Sequence, residues 1–155
     1  MKKLYLFILV TTILLSSCTK YEEGPKITFR SIDSRIIGNW KVTEYSCNDV
    51  DSLQYYNDSC GSNLSIDLNE GYYRRNYTVS FIGGNKEFFA FATFSNYDSY
   101  NLNVKSGYEN YKKYFTGPFL PERTSSWHIL RLTKKELKIS IDFDNRTYRI
   151  SFKKI

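Results

Sequence analysis

Residues able to carry out chemistry are few in this 155-residue chain. His128 is its only histidine, so a zinc site built on several histidines is excluded and a Ser-His-Asp triad would depend on this one residue. Asp49 and Asp51 offer oxygens for a calcium ion, but they lack the ordered spacing and the glycine of an EF-hand loop. We therefore expect a protein that is not an enzyme and that holds no metal and no cofactor.

The sequence near the start of the chain indicates that one cysteine is modified covalently. Two lysines precede an apolar run, which ends in Leu15-Ser16-Ser17-Cys18. A basic start, an apolar segment and small residues before a cysteine are together similar to the signal peptide of bacterial lipoproteins. The pattern predicts that residues 1–17 are removed and that Cys18 then carries lipid, palmitate included. An incidental thiol near an ordinary cleavage site is the alternative.

Cys47 and Cys60 remain as an even pair once Cys18 is lipidated. Disulfides persist in compartments beyond the inner membrane, so we expect these two thiols to be bonded. The loop would span 60 − 47 = 13 positions, and closing it would stabilise the fold by roughly 3 kcal/mol in the chain-entropy model. Two separate buried thiols are the alternative.

The stretch 18–26 is predicted to be the lipidated cysteine and a flexible tether, because Gly24-Pro25 cannot continue a helix. The apolar run before it is shorter than the roughly 20 residues that a spanning helix needs. Lys20 and the two glutamates that follow Tyr21 resemble the signal that sends lipoproteins of one group of Gram-negative bacteria to the cell surface, a lysine followed by acidic residues, although Tyr21 interrupts the match. We expect an outer-membrane protein that is lipid-anchored and exposed at the surface; an acidic spacer is the alternative.

Charge argues against a nucleic-acid partner. Without residues 1–17, basic residues exceed acidic ones by (22 − 2) − 16 = 4. Lysine and arginine are scattered among acids instead of being grouped on one face. The expected partners are therefore the membrane, through the lipid at Cys18, and a small apolar ligand or another envelope component.

The elements that must position these residues are strands. From residue 36 onward apolar residues mostly recur with period two, in segments rich in β-branched and aromatic residues. The fold class is therefore all-β, an antiparallel up-and-down meander. The predicted strands are Asn39–Tyr45, Leu64–Leu68, Tyr72–Phe81, Lys86–Phe94, Trp127–Leu132, Leu137–Phe143 and Thr147–Lys153, with a further strand near Tyr100–Val104 inside the irregular region 97–126.

Two segments resemble the lipocalin-like lipoproteins, a family of small exported barrels. Ile36-Ile37-Gly38-Asn39-Trp40 is similar to the Gly-x-Trp opening of their first strand, and 127–139 is similar to a strand, turn and strand of their second half. The resemblance implies a barrel of about eight strands over residues 27–155. It also implies that Gly38 permits a bend and that Trp40 plugs the closed end. A basic residue of the last strand packs on this Trp in related proteins, and Arg149 is the candidate, although Tyr148 and Ile150 fit the interior better.

Ligand-binding candidates lie on the strand 72–81. Tyr73, Arg75 and Tyr77 share one face, and a charge among apolar residues at a barrel mouth is costly unless it is paired or holds an anionic ligand. An ion pair, or extension of Arg75 to the rim, is the alternative. The functional hypothesis is a lipocalin-like barrel that binds a small apolar or amphipathic molecule. The alternative is a non-catalytic envelope or cell-surface interaction protein with a solid barrel and an aromatic contact surface.

Overall fold

The computed structural model of the chain describes residues 21–24, 31–59, 63–69, 76–83, 86–94, 101–106 and 125–155. Within these ranges the chain forms two short helices and nine strands. The helices are α1 (Ile32–Ile36) and α2 (Leu53–Ser59). The strands are β1 (Gly38–Cys47), β2 (Val50–Asp51), β3 (Asn63–Asn69), β4 (Asn76–Gly83), β5 (Lys86–Phe94), β6 (Asn101–Ser106), β7 (Ser125–Leu132), β8 (Glu136–Phe143) and β9 (Arg146–Lys154).

The strands form one antiparallel sheet that nearly closes into a barrel. From β3 to β9 each strand pairs with the next one in sequence, and β1 pairs with both β9 and β3. The β1–β3 pairing covers only residues 38–40 of β1, whereas the far end of β1 pairs with the two-residue β2. The predicted all-β meander is thus confirmed, and every predicted strand has its counterpart.

Period two explains which side chains fill the barrel. On β9, Tyr148, Ile150 and Phe152 are buried while Arg149 between them is exposed. On β7 a β-bulge shifts the register between Ile129 and Arg131. Trp127 and Ile129 point inward before the bulge, and Leu132 is the next inward residue after it. Leu130, which the sequence pattern places on the inner face, lies at this bulge. The interior is otherwise formed by large apolar side chains from β1, β3, β4, β6 and β8.

One end of the barrel, here called the base, is covered by α1. Ser31 is its N-cap, and its hydroxyl accepts a hydrogen bond from the backbone N–H of Ser34. The indole N–H of Trp40 donates to the carbonyl of Ile36 at 2.9 Å, and the hydroxyl of Tyr77 donates to the carboxylate of Asp33. These bonds tie the helix to the first strand and to β4, so the base is closed by a fixed element.

Lys154 completes the base. Its ammonium lies 4.9 Å from the centre of the Trp40 ring and donates to the carbonyl of Arg35 at 3.1 Å. Gly38 has φ of 136°, and a Cβ there would lie 2.5 Å from the Cε of Lys154. The expectation that Arg149 packs on Trp40 is wrong. Arg149 lies on the outer wall, where it pairs with Asp49 at 2.8 Å, whereas Lys154 shares the inward side of β9 with Tyr148 and Phe152.

The described part of the predicted tether, residues 21–24, contacts the barrel. Tyr21 is 1% exposed, and the guanidinium of the buried Arg35 lies 5.6 Å from its ring centre. The backbone N–H of Glu23 donates to the carbonyl of Leu130, and its carboxylate pairs with Lys138 at 3.1 Å. These four residues are therefore docked on the outside of β7 and β8. Across the described residues, no helix has the length and apolar character that crossing a membrane requires.

The opposite end, here called the cleft end, contains two tight hairpins. Asn48 and Asp49 join β1 to β2, and Asp144 and Asn145 join β8 to β9; all four residues have positive φ. Two central residues with positive φ give the hairpin turn whose twist matches that of the flanking strands. A hydrogen bond joins the two hairpins: the side-chain oxygen of Asn48 accepts from the backbone N–H of Thr147 at 2.9 Å.

The predicted disulfide is wrong: Cys47, the one cysteine within the described residues, is a free thiol. Cys60 itself is outside the described residues. The number and spacing of cysteines do not guarantee that two Cα atoms come within the roughly 7 Å that a disulfide needs. Here β2 and the seven-residue α2, about 10 Å long at the usual rise per residue, separate the two cysteines.

Candidate functional site

A cleft of about 270 Å³ opens at the cleft end of the barrel. Three elements form it: the end of β1, the start of β9, and the segment that leads into α2. Its lining residues are Tyr45, Cys47, Ser52, Tyr55, Arg146 and Tyr148. We refer to this space as the mouth cleft. Its volume lies just below the range of roughly 300–1,000 Å³ for small-molecule sites.

Aromatic rings form the wall of the mouth cleft. Tyr45 and Tyr148 are 4% and 6% exposed, and their ring centres are 6.0 Å apart. Tyr56 of α2 stacks on the other side of Tyr45 at 5.1 Å, and the N–H of Ser52 donates to the carbonyl of Tyr45. The wall is therefore held in place by packing from both sides, which leaves it preorganised to contact an apolar group.

A positive charge stands at the edge of this wall. Arg146 is exposed, shares the inward side of β9 with Tyr148 and lines the mouth cleft together with it. Burial raises the pKa of the Tyr148 phenol, and the guanidinium of Arg146 opposes that rise. The pKa of Arg146 is itself raised, first by Tyr148. The mouth cleft thus combines apolar rings with a guanidinium and a neutral phenol at neutral pH.

Two exposed apolar residues lie next to the mouth cleft, and we call them its rim. Tyr55 lines the cleft and is 59% exposed, and Val50, which is 66% exposed, is the β2 residue that pairs with Cys47 of the cleft. Cys47 is half-buried and lines the cleft. Exposed apolar residues next to a concave site are the surface that a ligand or partner would cover.

The residues selected from the sequence fall into three groups. Tyr77 is buried at the base, where it bonds to Asp33, and not at the cleft end. Tyr73, Arg75, Cys18 and Cys60 lie outside the described residues, and so does most of the tyrosine-rich region 97–126. Gly38 and Trp40 occupy the base as described above.

The polar residues considered for catalysis or metal binding have local partners. His128 contacts Asn101 at 2.9 Å and Glu22 at 3.4 Å through its two ring nitrogens. Asp51 accepts from the N–H of Leu53 at the start of α2, and Asp49 pairs with Arg149. Within the described ranges no three His, Cys, Asp or Glu side chains are grouped so that they could hold a metal ion.

A second, smaller cleft of about 190 Å³ lies on the outer wall beside Glu23 and Leu130. Both basic residues that line it already form ion pairs, Lys138 with Glu23 and Arg149 with Asp49. A ligand would have to displace these ion pairs. The mouth cleft, with its aromatic wall and its uncovered guanidinium, is the better candidate.

The mouth cleft was not predicted from the sequence, although the alternation of residues along β9 pointed to one of its residues. The alternation Tyr148, Ile150, Phe152 extends backward to Arg146, which places a charge on the inner side at the end of β9. The contribution of the segment after Cys47 could not be read in the same way, because α2 has only seven residues and shows no helical period.

Comparison with known proteins was made at the level of families, of individual proteins and of structures. No family model, no curated protein and no solved structure matches this chain. What the protein does must therefore be inferred from its own geometry.

Proposed function

We propose that this protein is an exported lipoprotein with a lipocalin-like barrel that binds a small apolar or amphipathic molecule at its mouth cleft. The observation that carries the binding proposal is the cleft itself, a space of about 270 Å³ with a fixed aromatic wall at one end of a barrel whose other end is closed. Small barrels with one accessible end are suited to such ligands.

The proposed anchor rests on the lipobox-like Leu15-Ser16-Ser17-Cys18 and on its distance from the barrel. Only two residues separate Cys18 from the docked Tyr21, so three residue steps of at most about 10 Å connect them. Tyr21 packs on Arg35 of the base. A lipid at Cys18 would therefore hold the base near the membrane, with the mouth cleft at the far end. The proposed location is the outer membrane, with exposure at the cell surface.

The second candidate function is that of a non-catalytic envelope or cell-surface interaction protein. The observation in its favour is the exposure of Val50 and Tyr55 on the rim, which a protein partner could cover. The two functions differ in whether the mouth cleft holds a small molecule.

Native mass spectrometry of the mature chain, purified from its own host before and after delipidation, tests both parts of the proposal. We expect an intact mass that begins at Cys18 and includes acyl chains, together with a small molecule that delipidation removes. A mature mass without acyl chains would contradict the anchor. Polypeptide free of any small molecule, in a preparation that had not been delipidated, would favour the interaction protein.

A further inference from the structure

Arg146 differs from Arg131 and Arg149, the other two arginines of strands β7 to β9, in having no acidic partner among the described residues. Arg131 pairs with Glu136 at 2.7 Å, Lys138 with Glu23 and Arg149 with Asp49. Among the residues that the structure describes, Arg146 forms no ion pair. The pKa of Arg146 is raised most by Tyr148, and Asp144 lies close enough to raise it electrostatically as well.

A guanidinium has several N–H donors in one plane and matches an anionic group such as a carboxylate in geometry and charge. Because Arg146 is exposed and forms no ion pair within the described residues, these donors are available to a ligand. The donors stand where the aromatic wall of Tyr45 and Tyr148 meets solvent. A molecule with an apolar chain along the wall would therefore bring its polar end to Arg146.

The geometry points to an amphipathic anion as the ligand of the mouth cleft, a medium-length hydrocarbon chain that ends in a carboxylate-type head bound by Arg146. This inference rests on the proposed binding function and specifies its ligand class.

The test compares two probes of equal chain length, octanoate and octan-1-ol, which differ in charge at neutral pH. The protein is the mature chain from residue 18 onward with Cys18→Ser, and dissociation constants are measured by NMR titration. We expect octanoate to bind about tenfold more tightly than octan-1-ol, the low end of what one charge-assisted hydrogen bond at an exposed arginine provides. In Arg146→Gln this preference should disappear, because octanoate loses more affinity than octan-1-ol.

Arg149→Gln is the matched control, because Arg149 is on the same strand but on the outer wall. This variant should keep the preference for octanoate. Equal binding of the two probes by the unmodified cleft, or an unchanged preference in Arg146→Gln, would overturn the anion assignment while leaving the binding function intact. Failure of both probes to bind would instead reject the proposed function together with the inference.

Discussion

The two ends of β9 carry inward-facing cations in opposite settings. Lys154 at the base lies under α1, where burial and the nearby Lys134 lower its pKa, and its ammonium contacts the Trp40 ring and a helix carbonyl. Arg146 at the cleft end is exposed and, among the described residues, forms no ion pair. The same strand therefore uses one cation to close the barrel and leaves the other accessible, which matches the roles that we propose for the two ends, stability at the base and binding at the mouth cleft.

Truncating Trp40 should give the largest effect. Trp40→Ala removes a side chain that is 0% exposed, together with its bond to Ile36 and its contact with Lys154, so we expect a loss of about 3–5 kcal/mol in the free energy of unfolding. Urea denaturation followed by circular dichroism measures it. Tyr55→Ala, at the exposed rim, should cost less than about 1 kcal/mol. Similar losses of unfolding free energy in Trp40→Ala and Tyr55→Ala would contradict the claim that the base, and not the cleft end, stabilises the fold.

A smaller loss of stability is expected from Gly38→Ala, about 1–2 kcal/mol in the same assay. The backbone of Gly38 has φ of 136°, which a residue with a Cβ adopts only with strain, and the added methyl would meet the Cε of Lys154. The double variant with Lys154→Ala separates the two causes, because it removes the contact and keeps the backbone strain. An unchanged stability in Gly38→Ala would mean that the bend at the base does not depend on glycine.

The smallest effect in energy concerns the ionisation of Tyr148. Its folded-state pKa is raised, mainly by burial, so its contribution to stability is complete below the ordinary value of about 10 and is lost as pH rises through the folded pKa. Arg146→Gln should raise this pKa further, since the guanidinium of Arg146 lowers it. NMR of tyrosine labelled with ¹³C at Cζ follows the titration, and Tyr148→Phe identifies the signal. A fall of the pKa in Arg146→Gln, or an equal rise in Arg149→Gln, would show that Arg146 does not act on the phenol in solution.

Strand periodicity is the part of the fold that could be predicted from the sequence. The alternation of buried and exposed residues on β8 and β9 is evident in the sequence because one face of each strand meets the core and the other meets water. The two short helices could not be predicted this way. Neither α1 nor α2 is long enough to show a helical period, and what holds them is tertiary contact, such as that of Tyr56 with Tyr45.

The candidate site was predictable only in part. Alternation along β9 gives the positions of Tyr148 and Arg146, and the same alternation identifies Lys154 instead of Arg149 as the residue on Trp40. Pairing of Cys47 with Cys60 could not be judged from spacing, because the spacing does not reveal that α2 lies between them. Placement of Tyr77 at the base likewise depends on the register of β4 with β3, which a single strand does not reveal.

The central claim is that ligand binds at one end of the barrel while the other end stays closed. Titration of the ¹⁵N-labelled mature chain carrying Cys18→Ser with octan-1-ol, followed through backbone amide shifts, tests it directly. The account predicts shifts at Cys47, Ser52 and Tyr148 and unchanged amides at Gly38, Trp40 and Lys154. Shifts concentrated at the base, with the residues of the mouth cleft unaffected, would contradict it.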